Sequence, residues 1–199
     1  MENESLKPVV TGEKRVVFMG DSITEYWEDE DPAFFKDRPY INRGIKSQTT
    51  AQMLVRFRQD VTDLNPAVVV ILGGINDIAQ NNGPVTLKNI MDNIISMVEL
   101  AKQHHVQVVL CSVLPANSFS LKNDPQPAER IIELNKMIRS YAQNNNIAYV
   151  DYYPALVDDK KGLDKKYTAD EIHPVLAGYK VMEPLLQAGI DAALKQLPG

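Results

Sequence analysis

The sequence predicts an α/β protein, a three-layer α/β/α sandwich around a five-stranded parallel sheet. Short apolar runs alternate with longer amphipathic segments, and several of the short runs are unbroken Val/Ile/Leu, as parallel strands covered on both faces require. Within the longer segments apolar residues recur every three or four positions, the spacing of one helix face.

The first strand is expected at residues 15–19 and the second at 40–42. Met53, Leu54, Phe57 and Val61 then share one helix face. The third strand is the most apolar run, 67–72. After it, Leu87, Ile90, Met91, Ile94, Val98 and Ala101 mark a helix of about five turns, with Pro84 just ahead, where a first helical turn accepts it. The fourth strand, 106–112, leads to a helix carrying Ile131, Leu134, Ile138 and Tyr141. The fifth, 147–150, precedes a last helix with Val181, Leu185, Leu186, Ile190 and Ala193 inward. Right-handed crossovers close these elements into the sandwich.

At 199 residues the chain fits one ordinary domain, 1–199. There is no internal repeat and no Gly/Ser linker; Pro115 and then Pro125 and Pro127 bracket a loop leading into a helix. Apolar residues are 44% and charged residues 24%, the balance of a folded soluble protein. The net charge of -5 comes with scattered Lys and Arg, which offers a nucleic-acid backbone little to bind. No run approaches a membrane span, and residues 1–7 lack a signal-peptide pattern. An exported protein whose leader had been removed would read the same, so the compartment stays open, and a homo-oligomer is compatible with the sequence. Cys111, the single cysteine, sits in an apolar run and reads as a buried thiol.

In open parallel sheets ligands bind beyond the carboxyl ends of the strands, so the segments after each run are where chemistry is sought. After the first strand comes Gly20-Asp21-Ser22-Ile23-Thr24, a serine at a strand-to-helix junction where unpaired N–H groups and the helix dipole favour an anion. Taken alone, Ser22 is better explained as a helix cap. Thr24 also stands where the Gly-x-Ser-x-Gly elbow needs its second glycine. After the second strand, Gly44 in Asn42-Arg43-Gly44-Ile45-Lys46-Ser47 could bring a bare N–H to a substrate, though a lone glycine more often makes a turn. After the third, Gly73-Gly74-Ile75-Asn76-Asp77 sets an Asn amide where an oxyanion would form; taken alone, ordinary turn and capping chemistry explains the segment slightly better. Near the C-terminus, Asp170-Glu171-Ile172-His173 places a carboxylate where it can hold an imidazole in the tautomer that accepts a serine proton.

His104 and His105 lie at the polar end of a helix and are assigned no chemistry. No histidine pair has ligand spacing, and neither a dinucleotide fingerprint nor a phosphate loop is present, so neither metal nor cofactor is expected.

Together and in this order, the four segments resemble the SGNH hydrolases, also called GDSL esterases and lipases, over nearly the whole chain. The wider runs 42–50 and 73–79 are most similar to small acylhydrolases related to platelet-activating factor acetylhydrolase subunits and to bacterial carbohydrate acetylesterases. The resemblance implies a flavodoxin-like fold, Ser22 as nucleophile, His173 as general base and acid, and Asp170 as its orienting partner. It implies oxyanion donors at the Ser22 and Gly44 backbone N–H and the Asn76 side chain, with Asp21 and Asp77 bracing loops. Two departures bear on substrate choice: Glu171-Ile172 fill positions where many members carry Gly and Leu or Val, and Lys46-Ser47 replaces a frequent Ser-Gly. Lys46 reaches for the pocket rim or is simply solvated. Tyr26 and Trp27 form an acyl or sugar wall, or core.

The expected reaction is hydrolysis of a small-molecule acyl ester through an acyl-serine intermediate, with acetylated sugars the preferred substrate. The same site would serve a thioesterase, lysophospholipase or acyltransferase, and the fold alone would serve a non-catalytic binding module.

Overall fold

The computed structural model describes residues 12–119 and 127–197. The expected loop around Pro125 and residues 1–7, which lack a signal-peptide pattern, lie outside them.

Five strands, β1 (Val16–Gly20), β2 (Tyr40–Gly44), β3 (Val68–Leu72), β4 (Gln107–Cys111) and β5 (Ala148–Val150), form one parallel sheet in the order β2-β1-β3-β4-β5. Every residue of β1 and β3 is buried, because both faces of these central strands are covered. Around the sheet lie α1 (Ser22–Glu30), α2 (Pro32–Phe35), α3 (Thr50–Asp60), α4 (Ile75–Ile78), α5 (Leu87–Gln103), α6 (Pro127–Asn144), α7 (Tyr153–Leu156) and α8 (Leu176–Leu194).

The chain first steps from β1 outward to β2, then crosses back over β1 to β3 and continues in that direction to β4 and β5. With right-handed crossovers this reversal puts α1 on one face and α3, α5 and α6 on the other. The packing agrees: α3 and α6 both pack on α5, while α8 returns to pack on α1. The reversal leaves a crevice at the carboxyl ends of β1 and β3, the switch point at which doubly wound sheets bind ligands.

Differences from the expected elements are local. β2 runs two residues further, to Gly44, because Asn42, Arg43 and Gly44 pair with Phe18, Met19 and Gly20 of β1. Pro84 lies outside α5; the helix is capped by Thr86, whose side chain accepts the Asn89 N–H. In α8 the inward face is Tyr179, Met182, Leu186, Ile190 and Ala193, while Leu185 is 38% exposed and Val181 only half-buried. Tyr179 decides this rotation, being fully buried with its hydroxyl donating to the Ile23 carbonyl of α1 at 2.8 Å. Trp27 belongs to the core, stacked between Phe34 and Tyr179. Among the described residues no helix is long and apolar enough to cross a membrane.

Candidate active site

β1 ends at Gly20 and α1 begins two residues later. Asp21, not Ser22, caps the helix, its Oδ1 accepting the Ile23 N–H at 3.0 Å. The Ser22 hydroxyl is therefore free of capping, and it lies 2.9 Å from Nε2 of His173, 151 residues away in the chain. On the other side of the ring, Nδ1 of His173 is 2.6 Å from Oδ2 of Asp170. Oδ1 of Asp170 accepts the backbone N–H groups of His173 at 2.7 Å and Ile172 at 3.0 Å, which orients the carboxylate toward the ring.

Burial opposes the Asp170 charge. The hydrogen bonds from the His173 ring and from the His173 and Ile172 backbone, with the attraction of the imidazole, outweigh it and hold the carboxyl at about 2. An ionised Asp170 accepts the Nδ1 proton, which leaves Nε2 as acceptor for the Ser22 hydroxyl. Tyr26, one turn after Ser22, sets its ring 5.3 Å from that of His173.

Asn76 stands in the first turn of α4, after Gly74, whose φ of 121° only glycine adopts readily. Its Nδ2 donates to the Gln48 carbonyl at 3.1 Å and its Oδ1 accepts from Asn81 Nδ2 at 2.6 Å. That fixes the amide plane and leaves the second Nδ2 hydrogen for the cleft. Asp77 braces the same region: its carboxylate accepts the Thr50 N–H at 2.8 Å and hydroxyl at 2.7 Å, tying α4 to the start of α3. Burial raises its carboxyl, with Thr50 pulling the other way. Asp21 is buried more deeply and is pushed up to about 7 by that burial, against the Ile23 N–H and His173. Its Oδ2 has no hydrogen-bond partner among the described residues.

Gly44 does not stand where the resemblance put it. Its N–H donates to Asn42 Oδ1 at 2.8 Å, and Asn42 Nδ2 in turn donates to the Thr24 carbonyl of α1 at 2.7 Å. A Cβ at Gly44 would sit 2.0 Å from the Glu25 nitrogen, so this glycine is there for the close approach of β2 and α1. The residue of this segment that lines the cleft is Ser47. Its φ is 64° and its N–H makes no hydrogen bond among the described residues. The Ser-Gly that the resemblance places at 46–47 was the signal for a left-handed turn at 47, not at 44.

The cleft has a volume of about 310 Å³ and is lined by Ser22, Asn76 and His173 together with Tyr26, Lys46, Ser47, Ile75, Ala79, Asn81, Phe119 and Ile172. Cys111 is buried away from it, and burial pushes the thiol up to about 12, far from a nucleophile's range. His104 and His105 lie just before β4, at the opposite end of the strands. Among the described residues no group of three or more His, Cys, Asp or Glu could hold a metal ion.

Comparison with known proteins matches residues 18–181 to the GDSL-like lipase/acylhydrolase family. Two crystal structures superpose on the chain nearly end to end. A Bacteroides fragilis protein has a TM-score of 0.91 at 47% identity, covering 96% of this chain and 93% of its own. A GDSL-like lipase from Bacteroides thetaiotaomicron has a TM-score of 0.92 at 45% identity, covering 96% and 94%. An acetylxylan esterase of Geobacillus stearothermophilus is 23% identical over 147 residues, 71% of this chain and 67% of that protein. The match to the Bacillus subtilis lipoprotein YqeF, 30% identical over 78 residues, spans 38% of this chain and about a third (32%) of the lipoprotein.

Proposed function

The chain belongs to the GDSL-like lipase/acylhydrolase family and is an ester hydrolase, and from that premise we propose that it cleaves short-chain acyl esters through an acyl-serine intermediate on Ser22. The observation that carries the proposal is the continuous chain of short contacts from Ser22 Oγ through His173 to Asp170 at the mouth of the cleft.

In the proposed cycle Ser22 Oγ attacks the ester carbonyl carbon while its proton passes to His173 Nε2. Asp170 keeps Nδ1–H in place and stabilises the imidazolium. The carbonyl oxygen, now negative, receives the Ser22 N–H, which as a first-turn amide has no helical partner, the free Nδ2 hydrogen of Asn76 and the Ser47 N–H, which takes the role first expected of Gly44. Collapse of the tetrahedral intermediate breaks the C–O bond, and the departing alkoxide takes the proton from Nε2. Water then gives its proton to His173 and attacks the acyl carbon, releasing the acid and restoring Ser22.

The cleft is at the small end of ligand pockets, which favours a short acyl group. The acetylxylan esterase among the relatives supports acetylated carbohydrate as substrate. A panel of p-nitrophenyl esters of increasing length and acetylated xylo-oligosaccharides tests this, with Ser22→Ala as control. Turnover is expected on acetyl esters, falling as the chain lengthens, and absent in Ser22→Ala. A preference for long acyl chains, or turnover surviving in folded Ser22→Ala, would refute the proposal.

A further inference from the structure

Among the described residues that line the cleft, Lys46 is the only Lys, Arg, Asp or Glu, in a chain whose net charge is -5. No carboxylate lines the cleft among the described residues. The acids nearest in sequence to its lining residues are turned to other tasks: Asp21 caps α1 and Asp77 holds the Thr50 N–H and hydroxyl. Asp170 holds His173, and Glu171 accepts from the Ser118 hydroxyl and lines a separate depression. Glu25 accepts the backbone N–H of Lys46 at 2.5 Å and makes no ion pair with its ammonium.

The turn that carries Lys46 is pinned by its backbone. The Ile45 N–H donates to the Gly20 carbonyl at 3.1 Å, the Gln48 N–H closes the turn on the Ile45 carbonyl at 3.4 Å, and the Lys46 N–H is held by Glu25. The start of the side chain is thus fixed relative to Ser22 by contacts that do not involve its ammonium; Lys46 is exposed and has no ion pair among the described residues. The next residue, Ser47, sits in the left-handed region, which turns the chain here at a conformational cost that a glycine would avoid. Ser47, Asn76 and Asn81 line the same cleft with neutral donors and acceptors, while Phe119 and Ile172 supply apolar surface from the segment after β4 and the loop before α8.

We propose that Lys46 is a specificity-determining residue and that the preferred substrates are esters bearing an anionic group, a carboxylate or phosphate, within reach of its ammonium. The inference rests on the acyl-serine reading of the same cleft and adds the charge of the substrate to it. The anion sits on the alcohol side or on the acyl side of the ester, and two pairs of esters distinguish these sources. For the alcohol side, 4-acetoxybenzoate is compared with its methyl ester. For the acyl side, the mono-4-nitrophenyl ester of succinate is compared with 4-nitrophenyl butyrate.

In the full chain, the charged-to-neutral ratio of kcat/KM is expected to fall about three- to fivefold in Lys46→Gln for one of the two pairs, the size of a solvent-exposed ion pair. It should fall further in Lys46→Glu, and the wild-type ratio should drop as salt is raised. A ratio unchanged in both pairs, within about twofold, overturns the proposal. The same esters are titrated calorimetrically into Ser22→Ala with and without Lys46→Gln, where the charged-to-neutral Kd ratio gives the answer without turnover. Absence of wild-type turnover on all four esters, charged and neutral, would therefore sink the acyl-serine reading, while the Kd ratio would still decide the role of Lys46.

Discussion

Asn76 has its amide fixed by Gln48 and Asn81, and in the proposed cycle its free hydrogen meets an oxygen that is negative only at the tetrahedral stage. Removing it should leave substrate binding almost untouched. Asn76→Ala is expected to lower kcat by about 100- to 1000-fold with little change in KM, measured on the acetyl ester that the wild type cleaves best. Near-normal kcat in the folded variant would leave the oxyanion to the backbone of Ser22 and Ser47. Among residues, those whose side chains do the proposed work were readable in advance, because Ser, Asp, His and Asn in a fixed order are scarce chemistry at strand ends. The proposed backbone donor was not: Gly44 carries the glycine, yet its N–H is engaged by Asn42, and the left-handed turn falls on a serine. A backbone N–H has no letter in a sequence, so only the fold separates these two positions.

Helix α1 depends on a cap of unusual electrostatics. Asp21 accepts the Ile23 N–H but is 1% exposed, and burial raises its carboxyl from an ordinary 3.8 to about 7. The folded state thus holds this proton more tightly than the unfolded chain does. Below about pH 4 both states are protonated and burial of the charge costs nothing; the penalty develops between about pH 4 and 7 and is complete above. Asp21→Asn keeps an oxygen for the cap and removes the titration. Its stability relative to wild type, from denaturant unfolding at pH 4, 6 and 8, is expected to rise steadily with pH; a difference independent of pH would contradict the assignment. At this scale the strands were legible because β1, β3 and β4 are continuous apolar runs, and their limits moved by one or two residues. The rotation of α8 was not, since Leu185 and Tyr179 both fit a helical stripe and only the hydroxyl contact with Ile23 selects between them.

The whole molecule is organised by one reversal of strand order, which brings the ends of β1 and β3 together and opens the crevice between them. Into it the loop before α8 carries His173 to Ser22 across 151 residues, a contact that no local periodicity encodes. What was legible at this distance was the resemblance of four separated segments, and it reached the fold class and the family. The account turns on Ser22 being the activated nucleophile, and covalent labelling measures that directly. A fluorophosphonate probe incubated with the folded protein, followed by peptide mass spectrometry, should modify Ser22 alone and should fail to do so in His173→Ala, since an imidazole must accept the hydroxyl proton for the serine to attack. Labelling of a different serine, or none in folded wild-type protein, would contradict it.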